Sequence, residues 1–259
     1  MNVTEEMLTG LVQMYFWPFV RIGALMMTGP LFNTQAVAPR ARLVTALAMT
    51  LVLAPLLPKL PPMPAFGAAW WLCMGRELII GAALGVILQL VFEAVMLAGE
   101  LVSYGMGLGF AQLADPIHGA PAPMLGQFYQ IFAILLFLSL GGHLRMIELL
   151  SDSFHAAPPG GAAPAAASLL AVAQLGVLLF AGAVRIALPA VIALLLVNLS
   201  FGVMNRSAPA LNALSLGFPL SLLIGLVVLS FALPQLQTAL GDLLGEAWGY
   251  AGNWVGGLR

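Results

Sequence analysis

The chain has 259 residues, of which 61% are hydrophobic and 7% charged, with a mean hydropathy of +1.03 and a formal net charge of -1. A soluble domain is nearer half apolar and a quarter charged, so an integral membrane protein, or one that lives inside a hydrophobic assembly, is expected. The balanced charge leaves no electrostatic footprint for nucleic acid. The single cysteine, Cys73, excludes an internal disulfide and reads as a small apolar packing residue.

The N-terminus, MNVTEEMLTG, is acidic where a secretory signal would be basic, so the first hydrophobic segment is expected to stay in the mature protein. A bilayer core needs about 20 apolar residues as a helix. Six segments approach that: 7–32, 43–57, 70–104, 128–150, 169–204 and 213–236. The second is short and stopped by Pro55 and Pro58; the third and fifth are long enough to tilt or kink. Pro18 and Pro189 lie inside segments and are expected to kink them. Backbone groups left unpaired in lipid cost several kcal/mol each, so all six should be helices and the fold an all-α integral membrane protein.

The connections differ in character. NTQAVAPRAR carries Arg40 and Arg42, PKLPPMP is stiff, and MNRSAPALN carries Arg206 and Pro209. Counting positive charges places the loops of Arg40, Arg42 and Arg206 in the cytoplasm, with Lys59 and Arg145 opposing. HAAPPGGAAPAAAS reads as an exposed, mobile, low-complexity linker. After Pro234, Leu236, Leu240, Leu243, Leu244, Ala247, Trp248 and Ala251 recur at helical spacing. Gly241, Gly245, Gly249 and Gly252 weaken that helix by about 1 kcal/mol each. It reads as an interfacial amphipathic tail or a partner-docking helix.

Charges inside apolar segments need a partner or a wet cavity. Arg21, Arg76, Glu77, Glu93, Glu100 and Arg185 are of this kind. Glu93 and Glu100 are two turns apart and share a face, whereas Arg76 lies off it. Their partners must come from other helices or other subunits, and three readings stay open: interhelical ion pairs, an ion site, or subunit contacts. The pair Gly81 and Gly85, flanked by alanines, lets another helix approach closely.

Enzyme readings find little support. Ser139 and His143 are one turn apart, but Ser139 lacks the glycine setting of an intramembrane serine nucleophile, and lone His143 reads as a packing residue. Neither H-E-x-x-H nor G-x-x-x-x-G-K-[ST] occurs. A small secondary transporter with a broken-helix site is the alternative reading, against which no inverted repeat is visible.

Three stretches carry a more specific signal: YFWPFVRIGALMMTGPLFNTQAVAPRARL (15–43), AGELVSYGMGLGFAQLADP (98–116), and RIALPAVIALLLVNLSFGVMNRSAPALNALSLGFPLSLLIGLVVL (185–229), with NR-x-AP-x-LN followed by GFPL at its core. Together they resemble the FliR family of type III secretion export-gate subunits, over 15–236 in order. The resemblance implies a non-enzymatic protein without cofactors, built as a FliP-like helical unit (1–155) and a FliQ-like hairpin (169–236). The two are joined by a linker (156–168) and followed by the tail (237–259). It also implies a place in the bacterial inner membrane within the flagellar basal body. The implied partners are FliP and FliQ subunits, with the FlhB and FlhA export components, and the cargo is unfolded flagellar proteins. The loop matching 105–124 is then a channel plug, carried by Gly105, Met106, Gly107, Leu108, Gly109, Phe110, Asp115 and Pro116. Its composition suits that job: alternate glycines turn the backbone, methionine fills irregular gaps, and Asp-Pro forces a turn. Arg21, Glu93, Glu100, Arg206 and Pro209 are the candidate assembly residues.

Overall fold

The computed structural model describes residues 5–32, 37–57, 67–109, 124–161, 164–207 and 213–258. Every regular element among them is helical: α1 (Glu5–Thr28), α2 (Pro39–Leu53) with a short 3₁₀ turn (Ala54–Leu56), α3 (Ala68–Gly105), α4 (Met124–Ser139), α5 (Gly142–Ala156), α6 (Ala166–Gln174), α7 (Gly176–Ser207) and α8 (Ala213–Gly256). Among the described residues, four stretches are long and apolar enough to cross a membrane: Pro39–Leu56, Ala68–Gly105, Ala166–Met204 and Pro219–Gly256. The pair α4 and α5, bent by 70°, makes a fifth if counted as one. This is the all-α membrane architecture that the composition required.

Two expected segments break and one extends. The segment read as 128–150 divides at Gly141, whose φ of 71° lies in the left-handed region. The segment read as 169–204 divides at Leu175, between α6 and α7. The expected tail is no separate element, because α8 runs unbroken through Pro234 to Gly256. Of its apolar stripe, Leu236, Leu240, Leu243, Leu244, Ala247 and Ala251 are buried inside the chain and Trp248 is half-buried.

The helices form two compact units, each assembled from separated stretches of sequence. The first comprises Met1–Leu90, Phe137–Gly176 and Gly245–Arg259. Its core joins Trp17, Ile22, Leu25 and Met26 of α1 to Ile80, Leu84, Ile87 and Leu88 of α3. Gly81 and Gly85 are what permit this closeness. A Cβ on Gly85 would strike Thr28 Oγ1 and come within 2.9 Å of the Leu25 carbonyl, and one on Gly81 would strike the Arg21 carbonyl. The close-packing pair therefore serves a helix of its own chain, and Thr28 Oγ1 adds a 3.2 Å hydrogen bond to the Ala82 carbonyl. Phe16 stacks on Trp70, with centroids 5.2 Å apart, beside Trp17 and Trp71. At the far end of α8, the Trp254 indole donates to the Ser168 carbonyl at 2.9 Å.

The second unit comprises Val91–Leu136 and Val177–Leu244. Gly99 and Gly126 bring α3 and α4 into backbone contact: a Cβ on Gly99 would lie 2.8 Å from the Leu125 carbonyl and 2.9 Å from Gly126 Cα. Ala98, Val102 and Met106 of the α3 end pack with Ala187, Ala190 and Leu194 of α7 as one buried cluster.

Candidate functional site

The central interruption begins where α3 stops, in the second unit. Gly107 has φ of 80°. Its N–H donates to the Tyr104 carbonyl at 3.0 Å, and the Leu108 N–H donates to the Ser103 carbonyl at 3.1 Å. That pair of bonds around a left-handed glycine is a Schellman turn, which satisfies carbonyls that a helix end leaves orphaned. Glycine is needed at 107 because a side chain in that region costs about 1–2 kcal/mol. Leu108 then folds back onto the buried cluster that contains Val102, as such turns favour.

The turn is fastened to α7 and α8. The Gly105 carbonyl, another helix-end acceptor, receives a 3.1 Å hydrogen bond from Asn198 Nδ2. Asn198 Oδ1 accepts in turn from Ser221 Oγ at 3.3 Å. The amide has one workable orientation here, since a carbonyl can only accept. Met106 is 2% exposed. Its thioether occupies the space over Gly225, where a Cβ would lie 2.6 Å from Cγ and 2.9 Å from Sδ. A Cβ on Gly105 would lie 3.1 Å from Leu194 Cδ1. Met106 is thus an anchor, filling a groove that only a glycine leaves open. Gly105, Gly107, Leu108 and Gly109 are half-buried around it. Phe110, Asp115, Pro116 and Pro209 lie outside the described residues.

Three of the six charges noted inside apolar segments, Arg21, Arg76 and Glu77, meet in the first unit in one nest. Arg21 and Glu77 are both fully buried, with Arg21 Nε 2.7 Å from Glu77 Oε2. Arg21 Nη1 donates to Ser153 Oγ at 3.1 Å and Nη2 to the Ala157 carbonyl at 2.7 Å. The guanidinium lies 4.1 Å from the Phe154 ring centroid, a cation–π distance. Arg76 Nη1 stands 3.3 Å from Glu77 Oε1 and donates to the Pro158 carbonyl at 2.6 Å. Burial of charge is tolerated when every donor finds an acceptor of this kind. All three nitrogens of Arg21 are engaged inside the chain, by α3, α5 and the start of the linker, which is the other-helix alternative. The start of that linker is partly covered: Ala156, Ala157 and Pro159 are buried, while Pro158, Gly160 and Gly161 are exposed.

The other predicted assembly residues among those described belong to the second unit. Glu93 and Glu100 are half-buried on α3 in the second unit. Arg206 is exposed in the last turn of α7, where a cation complements the helix dipole. Arg185 and Asp242, both more than half exposed, pair at 3.4 Å between α7 and α8.

Residues 12–247 match the model of a family described as bacterial export proteins, family 1. The chain belongs to this family. Among its relatives are three proteins named flagellar biosynthetic protein FliR. The one from Pectobacterium carotovorum is 40% identical over 237 residues, covering 92% of this chain and 90% of the relative. That of Escherichia coli K12 is 37% identical over 247 residues, covering 95% and 94%. That of Aquifex aeolicus is 29% identical over 239 residues, covering 92% and 91%. The membership expected from NR-x-AP-x-LN and its companions holds over nearly the whole chain.

Within this export protein, sequence reasoning found the loop but not its fastening. Asn198 and Ser221 read as ordinary polar residues in apolar helices, and Gly225 as one glycine among 28. Asn198 carried one usable signal: an amide inside a strongly apolar helix needs a partner, like the charges.

Proposed function

We propose that this chain is a non-enzymatic core subunit of the flagellar type III protein export gate. It sits in the bacterial inner membrane within the flagellar basal body, beside FliP and FliQ subunits and near the FlhB and FlhA components. Its loop 105–124 plugs the channel for unfolded flagellar proteins. The observation that carries the plug is the fastened glycine turn at the end of α3. A plug must resist being pushed out, and a loop pinned at its base by a buried methionine and a helix-capping amide has that footing. With Met106 spent on anchoring, closure falls to the residues from Gly109 onward, Phe110, Asp115 and Pro116 among them.

The exposed apolar faces of α7 and α8, with Phe180, Leu188, Leu195, Leu226 and Phe231, suit a subunit surrounded by other apolar helices. Glu93, Glu100, Arg206 and Pro209 are the positions where contacts to those companions are assigned. Arg21 contributes through the shape of its own unit. The test is deletion of Gly105–Phe110 in the chain co-expressed with its companions, read as potassium leak across the inner membrane. A leak is expected, with the complex still recovered; unchanged conductance from an intact complex would remove the plug from the reading.

A further inference from the structure

We infer that the α7–α8 pair is the latch of the loop, and that Asn198, Ser221 and Gly225 are its positioning residues; this rests on the plug reading above. Three contacts meet at one place. Asn198, on α7, holds the carbonyl of the last helical residue of α3. Ser221, on α8, holds Asn198 in the orientation that presents its N–H groups to that carbonyl. Gly225, one turn beyond Ser221 on the same face of α8, leaves the slot that Met106 fills. The loop base is therefore gripped by two helices at once, and the grip is complete only while α7 and α8 stay side by side.

The materials of the grip suit release. The polar part is a chain of two hydrogen bonds, at 3.1 and 3.3 Å, neither charge-assisted. The apolar part is a flexible thioether against a bare backbone. A modest separation of α7 from α8 breaks the Ser221–Asn198 bond and opens the slot together. The loop base then loses its amide and its methionine seat in one step. A partner that bears on the exposed faces of α7 or α8 can thus free the loop base without touching it.

The test uses the full chain in its complex, with Cys73→Ser as background and Leu108→Cys as reporter, labelled by a membrane-impermeant maleimide. Asn198→Asp removes the donor to Gly105 while keeping the acceptor for Ser221. Gly225→Ala places a methyl in the Met106 slot. Each is expected to raise the labelling rate about tenfold, the equivalent of one lost hydrogen bond, and to raise potassium leak with complex recovery unchanged. Ser221→Ala is the milder second variant, expected to act in the same direction, and it decides the matter if either of the others assembles poorly. Wild-type labelling and wild-type leak in these variants, alongside a leaky deletion of Gly105–Phe110, overturn the latch and leave the plug standing. If that deletion is itself tight, the plug reading fails first.

Discussion

Replacing Glu77 by alanine tests the charge nest directly. In the native chain one carboxylate serves two guanidiniums, at 2.7 Å and 3.3 Å, and no side chain of that group is more than 5% exposed. Glu77→Ala leaves two like charges side by side, one of them fully buried with its Nε without its carboxylate. Removing one partner of a buried ion pair costs about 3–5 kcal/mol. At about 2–4 °C per kcal/mol for a chain of this size, that is a loss of about 6–20 °C. Arg21→Ala is gentler, because Glu77 keeps Arg76, and Glu77→Gln is intermediate, because the amide still accepts from Arg21. The assay is thermal loss of the monodisperse complex in mild detergent, followed by gel filtration of a fluorescently tagged chain. The expected order of damage is Glu77→Ala, then Glu77→Gln and Arg21→Ala. A shift below about 2 °C for Glu77→Ala, or a larger one for Arg21→Ala, would refute the assignment of Glu77 as the shared counter-ion.

Three further outcomes follow from the packing. Gly85→Ala pushes a methyl into Thr28 and the Leu25 carbonyl, so α1 and α3 must separate; about 1–3 kcal/mol is lost, seen as reduced recovery of the complex. Gly107→Ala strains the left-handed turn by about 1–2 kcal/mol and should raise labelling of a cysteine at position 108, whereas Gly10→Ala, where a Cβ meets nothing within 4 Å, should not. Trp254→Phe removes the hydrogen bond to the Ser168 carbonyl and should lower thermal stability by about 0.5–1.5 kcal/mol, detectable in the same gel-filtration assay.

Apolar length and proline positions made most helices readable. Pro55 marks the end of the second segment in the sequence, and the structure stops there within a residue or two. The break at Gly141 leaves no mark in the sequence, because one glycine in an apolar run signals a bend only when its φ is known. The α8 stripe was visible as a stripe, but helical spacing states which residues share a face and not what covers it. The nest shows the same limit more sharply. Arg21, Arg76 and Glu77 were legible as charges in need of partners, yet the Arg21–Glu77 pair spans 56 positions, and two further acceptors are main-chain carbonyls. A backbone acceptor has no letter in a sequence. The loop base repeats the pattern: Gly107 and Asp115–Pro116 announce a turn, while Asn198 holds a carbonyl 93 positions away.

The nest also bears on how this chain can vary over generations. Arg21 and Arg76 grip the carbonyls of Ala157 and Pro158, and every amino acid brings a carbonyl. Where the run that follows α5 is exposed, as at Pro158, the letter can therefore change without loosening the grip, provided the path past the two arginines is kept. Natural variation should accordingly fall on the exposed letters of the gripped segment and stay rare in the arginines and the glutamate that do the gripping.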